Sequence, residues 1–211
     1  MDRRYPPVPE VHMGSADEFR ALLGGAIKPT EVARFLDDLS HGGRVEAIRG
    51  TRGVDQRKLY AAVDGFGQVR LVDLVAPSVG TFDTVRHYGK NTLPAFTHFE
   101  KHFCRGPDAE PDRPKELYGL NHQTMSPLTG PGYFVAVEDA SRPEVLVDYR
   151  RVPEQRPDGW PAIKRNEVGL SRFVYGFMVD TLRRVSEHVT IGSAARNGKD
   201  MNSWFLLTRE N

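Results

Sequence analysis

The sequence contains a single cysteine, Cys104, among its 211 residues. An intramolecular disulfide is therefore impossible, and a cysteine-rich zinc module is excluded as well. An excess of charge of one sign is also missing, because 29 Lys and Arg residues face 28 Asp and Glu residues and leave a formal net charge of +1. Dedicated nucleic-acid-binding proteins usually have a strongly basic surface, so this balance argues against a nucleic-acid partner.

Long hydrophobic runs are absent too. A membrane-spanning helix needs roughly 18–20 consecutive apolar residues, and the longest apolar runs here, such as 134–137, have the length of a β-strand. The N-terminal segment has charged residues but no apolar stretch after them, which does not match a signal peptide. We therefore expect no membrane span and, with a lone thiol, a cytoplasmic protein.

Several catalytic signatures are missing from the chain. It has no Gly-x-Ser-x-Gly nucleophile elbow, no P-loop and no Rossmann glycine fingerprint. The commonest sequence signals of hydrolases and of nucleotide-binding enzymes are therefore absent. We predict no cofactor from the sequence.

The chain does contain many turn-forming residues, with 20 Gly and 15 Pro. Residues 1–14 are rich in proline and are predicted to form an extended arm. Apolar residues then recur at helical spacing through 15–65. Helices are predicted from Ser15 to Gly24-Gly25, from Pro29 to His41-Gly42-Gly43, and over 56–63.

The remainder, 66–211, has the pattern of a β-structure with a loop insertion over 105–130. Asn197-Gly198 is the strongest hairpin signal in the chain. Strands are predicted over 69–75, 133–138, 145–149, 173–179 with a continuation over 181–185, 189–194 and 203–208. Short strands separated by turn signals are typical of an antiparallel barrel or sandwich. We expect one α+β domain over 15–211, with N-terminal helices and a mostly antiparallel β-barrel.

The segment from Pro94 to Arg105 fits two patterns. As a helix, Phe96, Phe99 and Phe103 form an apolar stripe; as a strand, side chains would alternate between two faces. The three phenylalanines favour the helix.

Three stretches resemble a bacterial family with an N-terminal GXWXG domain and a C-terminal barrel. Met178–Gly192 is similar to the tail of that family, and Tyr88-Gly89-Lys90 is similar to its Trp-Tyr-Gly-Lys segment. The predicted helix over 32–39 and the following Gly50-Thr51-Arg52-Gly53 resemble its helix and GXWXG region, although the signature Trp is missing. The resemblance implies a calycin-like barrel, related in shape to lipocalins and nitrobindins, which hold small apolar ligands or haem.

His98 and His102 would lie on one face of a helix, at a spacing that suits a divalent metal ion. A third ligand would have to come from His87 or His122. Because two ligands do not make a site, we predict no metal.

Acid–base groups occur in two segments. His87 and Tyr88 place an imidazole beside a phenol, and Asn121 and His122 lie in a polar stretch that enters a strand. Arg183 offers a guanidinium for a substrate carboxylate, or forms an exterior ion pair. Cys104, beside Phe103, is expected to pack as a small apolar residue rather than to act as a nucleophile.

Two functions remain open from the sequence. The first is binding of a small, largely apolar molecule, such as a lipid, within the barrel. Its expected ligand-binding residues are Asn121, Tyr133, Tyr149, Tyr175, Phe177 and Trp204, with Phe134 and Phe173 as further walls. The second is a cofactor-independent lyase, isomerase or cyclase whose catalytic residues would be His87, Tyr88, His122 and Arg183. The sequence also leaves open whether the protein forms a homodimer.

Overall fold

The computed structural model describes residues 14–94, 97–122, 131–166 and 171–210, without the side chains of Ser171 and Phe173. Eight antiparallel strands form a closed barrel, preceded by a group of helices. The predicted α+β class and antiparallel barrel are therefore confirmed. The predicted arm lies almost wholly outside the described residues.

Each strand of the barrel pairs with the next strand in sequence, and the last strand pairs with the first to close the sheet. The strands are β1 Val85–Asn91, β2 His98–Cys104, β3 Leu117–His122, β4 Tyr133–Glu138, β5 Val145–Asp148, β6 Met178–Arg184, β7 Val189–Arg196 and β8 Lys199–Arg209. β3 thus lies within the range that was predicted as a loop insertion.

The helices are α1 Ser15–Gly24, α2 Pro29–Asp38, α3 His41–Arg49, α4 Gly53–Ala62, α5 Leu71–Leu74 and α6 Ser171–Val174. The first four bury an apolar face against the outside of β7 and β8, where Ile191 and Leu206 join Phe19, Leu36 and Ile48 in one cluster. Among the described residues, no helix is long and apolar enough to cross a membrane.

The short helix α5 closes one end of the barrel. Leu71 and Leu74 are fully buried in the barrel core. Arg209 donates a hydrogen bond to the Asp73 carbonyl, and Arg105 donates to the Ala76 carbonyl at 2.8 Å. These contacts bind the helix to the strand ends, so this end of the barrel is called the closed end below.

One predicted helix boundary and one predicted strand are wrong. The glycines after His41 were expected to end the second helix, but α3 begins there. Ser40 accepts a hydrogen bond from the Gly43 amide at 3.2 Å and caps the new helix. The predicted strand over 69–75 is also wrong, because Asp73 accepts a hydrogen bond from the Arg70 backbone amide at 2.8 Å and caps the start of α5.

The segment around Phe99 is a strand, not the predicted helix. Phe99 and Phe103 are four residues apart, a spacing that puts side chains on one face of either a helix or a strand. The segment pairs with β1 on one side and β3 on the other, which shows that it is a strand. The predicted strand over 173–179 also begins late, because α6 precedes it and Phe177 has a φ of 61°.

The predicted hairpin at Asn197-Gly198 is confirmed. Both residues have positive φ angles, of 50° and 74°, and they join β7 to β8. A two-residue turn of this kind matches the right-handed twist of the strands on either side.

Inside the barrel, three glycines lie directly opposite phenylalanines on the neighbouring strand. The pairs are Gly89–Phe99, Gly119–Phe134 and Gly192–Phe205. In each pair a Cβ atom on the glycine would lie 2.1–2.6 Å from the phenylalanine ring. Each ring therefore lies over the glycine, an arrangement in which the ring covers the backbone that a side chain would otherwise cover.

We expect Gly119→Ala to destabilise the barrel by about 1–3 kcal/mol, because the new methyl group overlaps the Phe134 ring and forces it out of position. Gly24→Ala is the control, since a Cβ there meets nothing within 4 Å. Urea unfolding measures both variants. Equal midpoints for the two variants would contradict the proposed ring packing.

Candidate functional site

A cavity of about 320 Å³ occupies the end of the barrel opposite α5. Its walls are mostly aromatic and aliphatic, and a small group of polar side chains lies among them. The lining residues are Asn91, Leu93, Phe99, Lys101, Asn121, Tyr149, Val174, Tyr175, Met178, Asp180, Ala194, Arg196, Met201, Ser203 and Phe205. This volume lies at the lower end of the usual range for small-molecule sites.

Lys101 and Asp180 form an ion pair inside the barrel. The Lys101 Nζ donates to Asp180 Oδ2 at 2.9 Å and also donates to the hydroxyl of Tyr149. Both charged side chains are only 2% exposed. The three residues come from β2, from β6 and from just past the end of β5, and strand alternation turns all of them inward.

The two carboxylate oxygens of Asp180 differ in their hydrogen bonds within the described residues. Oδ1 is buried and accepts no hydrogen bond from the described part of the chain. A buried oxygen without a donor carries a penalty of about 1–3 kcal/mol, more for a charged group. Because Asp180 lines the cavity, a donor on a bound molecule would remove that penalty.

Aromatic rings surround the Lys101 ammonium. Its Nζ lies 4.9 Å from the ring centres of Tyr149 and Phe205, 5.3 Å from that of Phe134 and 5.7 Å from that of Phe99. The three phenylalanines are the same ones that lie over the interior glycines. The glycine–phenylalanine pairs thus build the surroundings of the lysine.

Burial changes the proton affinity of this cluster. It lowers the pKa of Lys101, against the opposing effect of Asp180, and it raises the pKa of Asp180, against the opposing effect of Lys101. Burial likewise raises the pKa of Tyr149, so its phenol stays protonated. Each shift favours the uncharged form of its group, because a low-dielectric interior penalises isolated charge.

Apolar side chains are exposed around the mouth of the cavity. Leu93, Phe177 and Met201 are each more than a third exposed, and they account for most of the exposed large hydrophobic residues in the described chain. Leu93 and Met201 line the cavity, and Phe177 directly precedes the lining residue Met178. An apolar molecule entering the barrel would contact this rim.

Three of the predicted ligand-binding residues line the cavity. Asn121 donates from Nδ2 to the hydroxyl of Tyr175 at 3.1 Å. The Tyr175 ring in turn stacks on Tyr149, with ring centres 5.3 Å apart. These contacts hold the two phenols along one wall.

The other predicted ligand-binding residues do not line it. Tyr133 lies on the outer face of the barrel against Trp160 and donates its hydroxyl to the Pro161 carbonyl. Burial raises the pKa of Tyr133 to about 12. Trp204 alternates with the inward-facing Phe205 and points outward, and Phe177 lies at the rim. Phe134 faces the core below the cavity.

The four predicted catalytic residues are not brought together. His87 faces the closed end, where Nε2 contacts the Leu74 carbonyl at 3.0 Å and therefore bears the proton. Burial lowers its pKa to about 3, so the ring is neutral. On the outer face, Tyr88 contacts His41, and the exposed His122 stacks on His102.

Arg183 is also on the outer face, in an ion-pair network. Its guanidinium lies 2.8 Å from Glu144 and 3.0 Å from Asp64, and it stacks over Tyr60. It therefore has the role of an exterior ion-pair partner, which was one of the two expectations for it.

The structure separates the two histidines considered for metal binding. His98 and His102 lie on one strand, so their Cα atoms are roughly 13 Å apart rather than one helical turn. His102 contacts Glu100 at 2.7 Å instead. Within the described ranges, no group of three or more metal-ligating side chains is present. Cys104 is buried, which raises the pKa of its thiol to about 12.

Lys101 was not predicted as a functional residue from the sequence. The alternative of a strand over 94–105 could have found it, since a strand puts Lys101 on the same face as Phe99 and Phe103. A lysine between two phenylalanines on an inward face is unusual, because lysines are rarely buried without a partner. Its partner inside the barrel is Asp180 of β6.

The chain matches no protein-family model and no curated protein sequence. The functional proposal is therefore based on the geometry of the cavity.

We expect His87→Gln to flatten the pH dependence of stability below pH 6.5. The pKa of His87 is lowered to about 3 in the folded protein, so only the unfolded chain takes up this proton between pH 6.5 and about 3. Its share of stability is complete above pH 6.5 and is lost as pH falls, at up to about 1.4 kcal/mol per pH unit. Urea unfolding from pH 7 to pH 4 measures the slope.

His122→Gln is the matched control, because that side chain is exposed. It should keep the wild-type slope. An unchanged slope in His87→Gln would show that the imidazole is not buried against α5.

Proposed function

We propose that the protein binds a small, largely apolar molecule in the open end of the barrel. The observation that carries this proposal is the composition of the cavity, which has apolar walls and a buried polar group at its inner end. Ligand sites typically combine apolar walls with a few placed polar groups that fix orientation. The apolar rim formed by Leu93, Phe177 and Met201 supports the same function.

The buried end of the ligand is electrically neutral. Lys101 and Asp180 already compensate each other, whether as an ion pair or as an amine and a carboxylic acid. A carboxylate at the same depth would add an uncompensated charge, at a cost of several kcal/mol. A carbonyl or hydroxyl group fits better, since Lys101 offers a donor and Asp180 Oδ1 offers an acceptor.

This assignment differs from an enzyme built on histidine. The predicted acid–base residues lie at the closed end or on the outer face, so no substrate in the cavity touches His87, Tyr88 or His122. The titratable groups that do line the cavity are Lys101, Asp180 and Arg196, with the phenols of Tyr149 and Tyr175.

We expect Ala194→Phe to abolish binding of N-phenyl-1-naphthylamine, a neutral dye whose fluorescence rises in apolar surroundings. Ala194 lines the cavity, and a phenyl ring there occupies the space of the dye. Ala195→Phe is the matched control, because Ala195, the next residue of β7, does not line the cavity. Fluorescence titration should show wild-type affinity for the control and at least a tenfold loss for Ala194→Phe.

Equal dye affinity in the two variants would contradict binding inside the barrel. Failure of the wild-type protein to raise the fluorescence of the dye would contradict the proposed function itself.

A further inference from the structure

Lys101 is the amine that faces the cavity within the described part of the chain. The neighbouring strand carries Lys90, which is half-buried on the outer face of β1. An amine is a nucleophile only when it is unprotonated, and a desolvated lysine reaches that state at lower pH than an exposed one. The rings around Lys101 supply this desolvation.

Asp180 lies where it can take the proton of the ammonium group. Its Oδ2 is 2.9 Å from Nζ, which is hydrogen-bond distance. Burial moves the pKa of Lys101 down and that of Asp180 up, so the difference that opposes this transfer is smaller than in water. The transfer turns two buried charges into a neutral amine and a neutral acid.

We propose that Lys101 forms an imine with the carbonyl group of an aldehyde or ketone bound in the cavity. This inference rests on the binding function proposed above and specifies the class of ligand. The chemistry needs a nucleophilic amine, a proton acceptor within reach, and a second contact for the oxygen that leaves. The amine is Lys101, and the proton acceptor is Asp180 Oδ2. The second contact is Asp180 Oδ1, which accepts no hydrogen bond from the described residues.

The step balances without any further reagent. Asp180 takes one proton from the ammonium, and the amine nitrogen then forms a bond to the carbonyl carbon while the C=O π bond breaks and its electron pair moves to the oxygen. A proton moves from this nitrogen to the former carbonyl oxygen and gives a neutral carbinolamine. Asp180 returns its proton to the carbinolamine hydroxyl, the C–O bond breaks and water leaves. The product is a protonated imine, paired with the Asp180 carboxylate.

The carbinolamine fits the free oxygen of Asp180. Its hydroxyl group can donate to Oδ1, which has no donor within the described residues. The Tyr149 phenol lies beside Nζ and keeps its proton, because burial raises its pKa. It can therefore form a hydrogen bond with the lysine nitrogen while the Asp180 carboxylate transfers the proton.

The test is reductive trapping with cinnamaldehyde, a small neutral aldehyde, and cyanoborohydride at pH 7. We expect intact mass spectrometry to show one reduced adduct, and peptide mapping to place it on Lys101. Lys101→Arg keeps the positive charge and should lose the adduct. Lys90→Arg is the matched control and should keep it, since Lys90 has a pKa lowered by burial but lies outside the barrel.

Asp180→Asn removes the proton acceptor and should slow trapping about 100-fold, the lower limit of what a positioned acid–base group contributes. Mapping of the wild-type protein keeps the test decisive even if a variant fails to fold. Wild-type protein with no adduct on Lys101, or with equal labelling of Lys101 and Lys90, overturns the proposal.

Displacement of N-phenyl-1-naphthylamine by cinnamaldehyde distinguishes failure of the imine from failure of the binding function. Displacement without trapping on Lys101 overturns the imine and leaves the binding function intact. Neither displacement nor trapping, in a protein that does not bind the dye, overturns both.

Discussion

The ion pair between Lys101 and Asp180 is the interaction on which the arrangement of the barrel interior depends. Two charged groups taken out of water lose several kcal/mol of solvation each, and only close contact with each other and further hydrogen bonds offset that loss. Here the contact joins β2 to β6 across the interior, and Tyr149 adds a hydrogen bond. Replacing one partner would leave an uncompensated buried charge, so the two residues constrain each other.

The rest of the interior is arranged around this pair. Three glycines on the inner face leave room for the rings of Phe99, Phe134 and Phe205, and these rings surround the lysine. The helix α5 packs Leu71 and Leu74 into the opposite end of the barrel. The polar group is thus isolated except toward the cavity. This isolation gives Lys101 the surroundings of a reactive amine rather than those of a surface lysine.

Much of the fold was predictable from the sequence, because periodicity and turn residues are local signals. The hairpin at Asn197-Gly198 follows from two residues that accept positive φ. The helical start and the antiparallel barrel follow from spacing. The segment around Phe99 was mispredicted because a spacing of four residues suits both a helix and a strand, and only pairing with β1 and β3 distinguishes them.

The site was less predictable, since it depends on register. Tyr149, Tyr175 and Asn121 were expected near a ligand and do line the cavity. The encounter of Lys101 with Asp180, 79 residues apart, has no local signal. The same holds for the glycine–phenylalanine pairs, which are visible only when the strands are aligned. The resemblance to the GXWXG-domain family stays a prediction.

The central claim is that burial holds Lys101 ready to lose its proton at the inner end of the cavity. NMR titration of protein labelled with ¹³C at lysine Cε measures this directly, with Lys101→Arg identifying the resonance. We predict that the Lys101 signal titrates below the ordinary lysine pKa of about 10.4, because burial lowers the pKa of this ammonium. A Lys101 signal that titrates at the ordinary value would contradict the account.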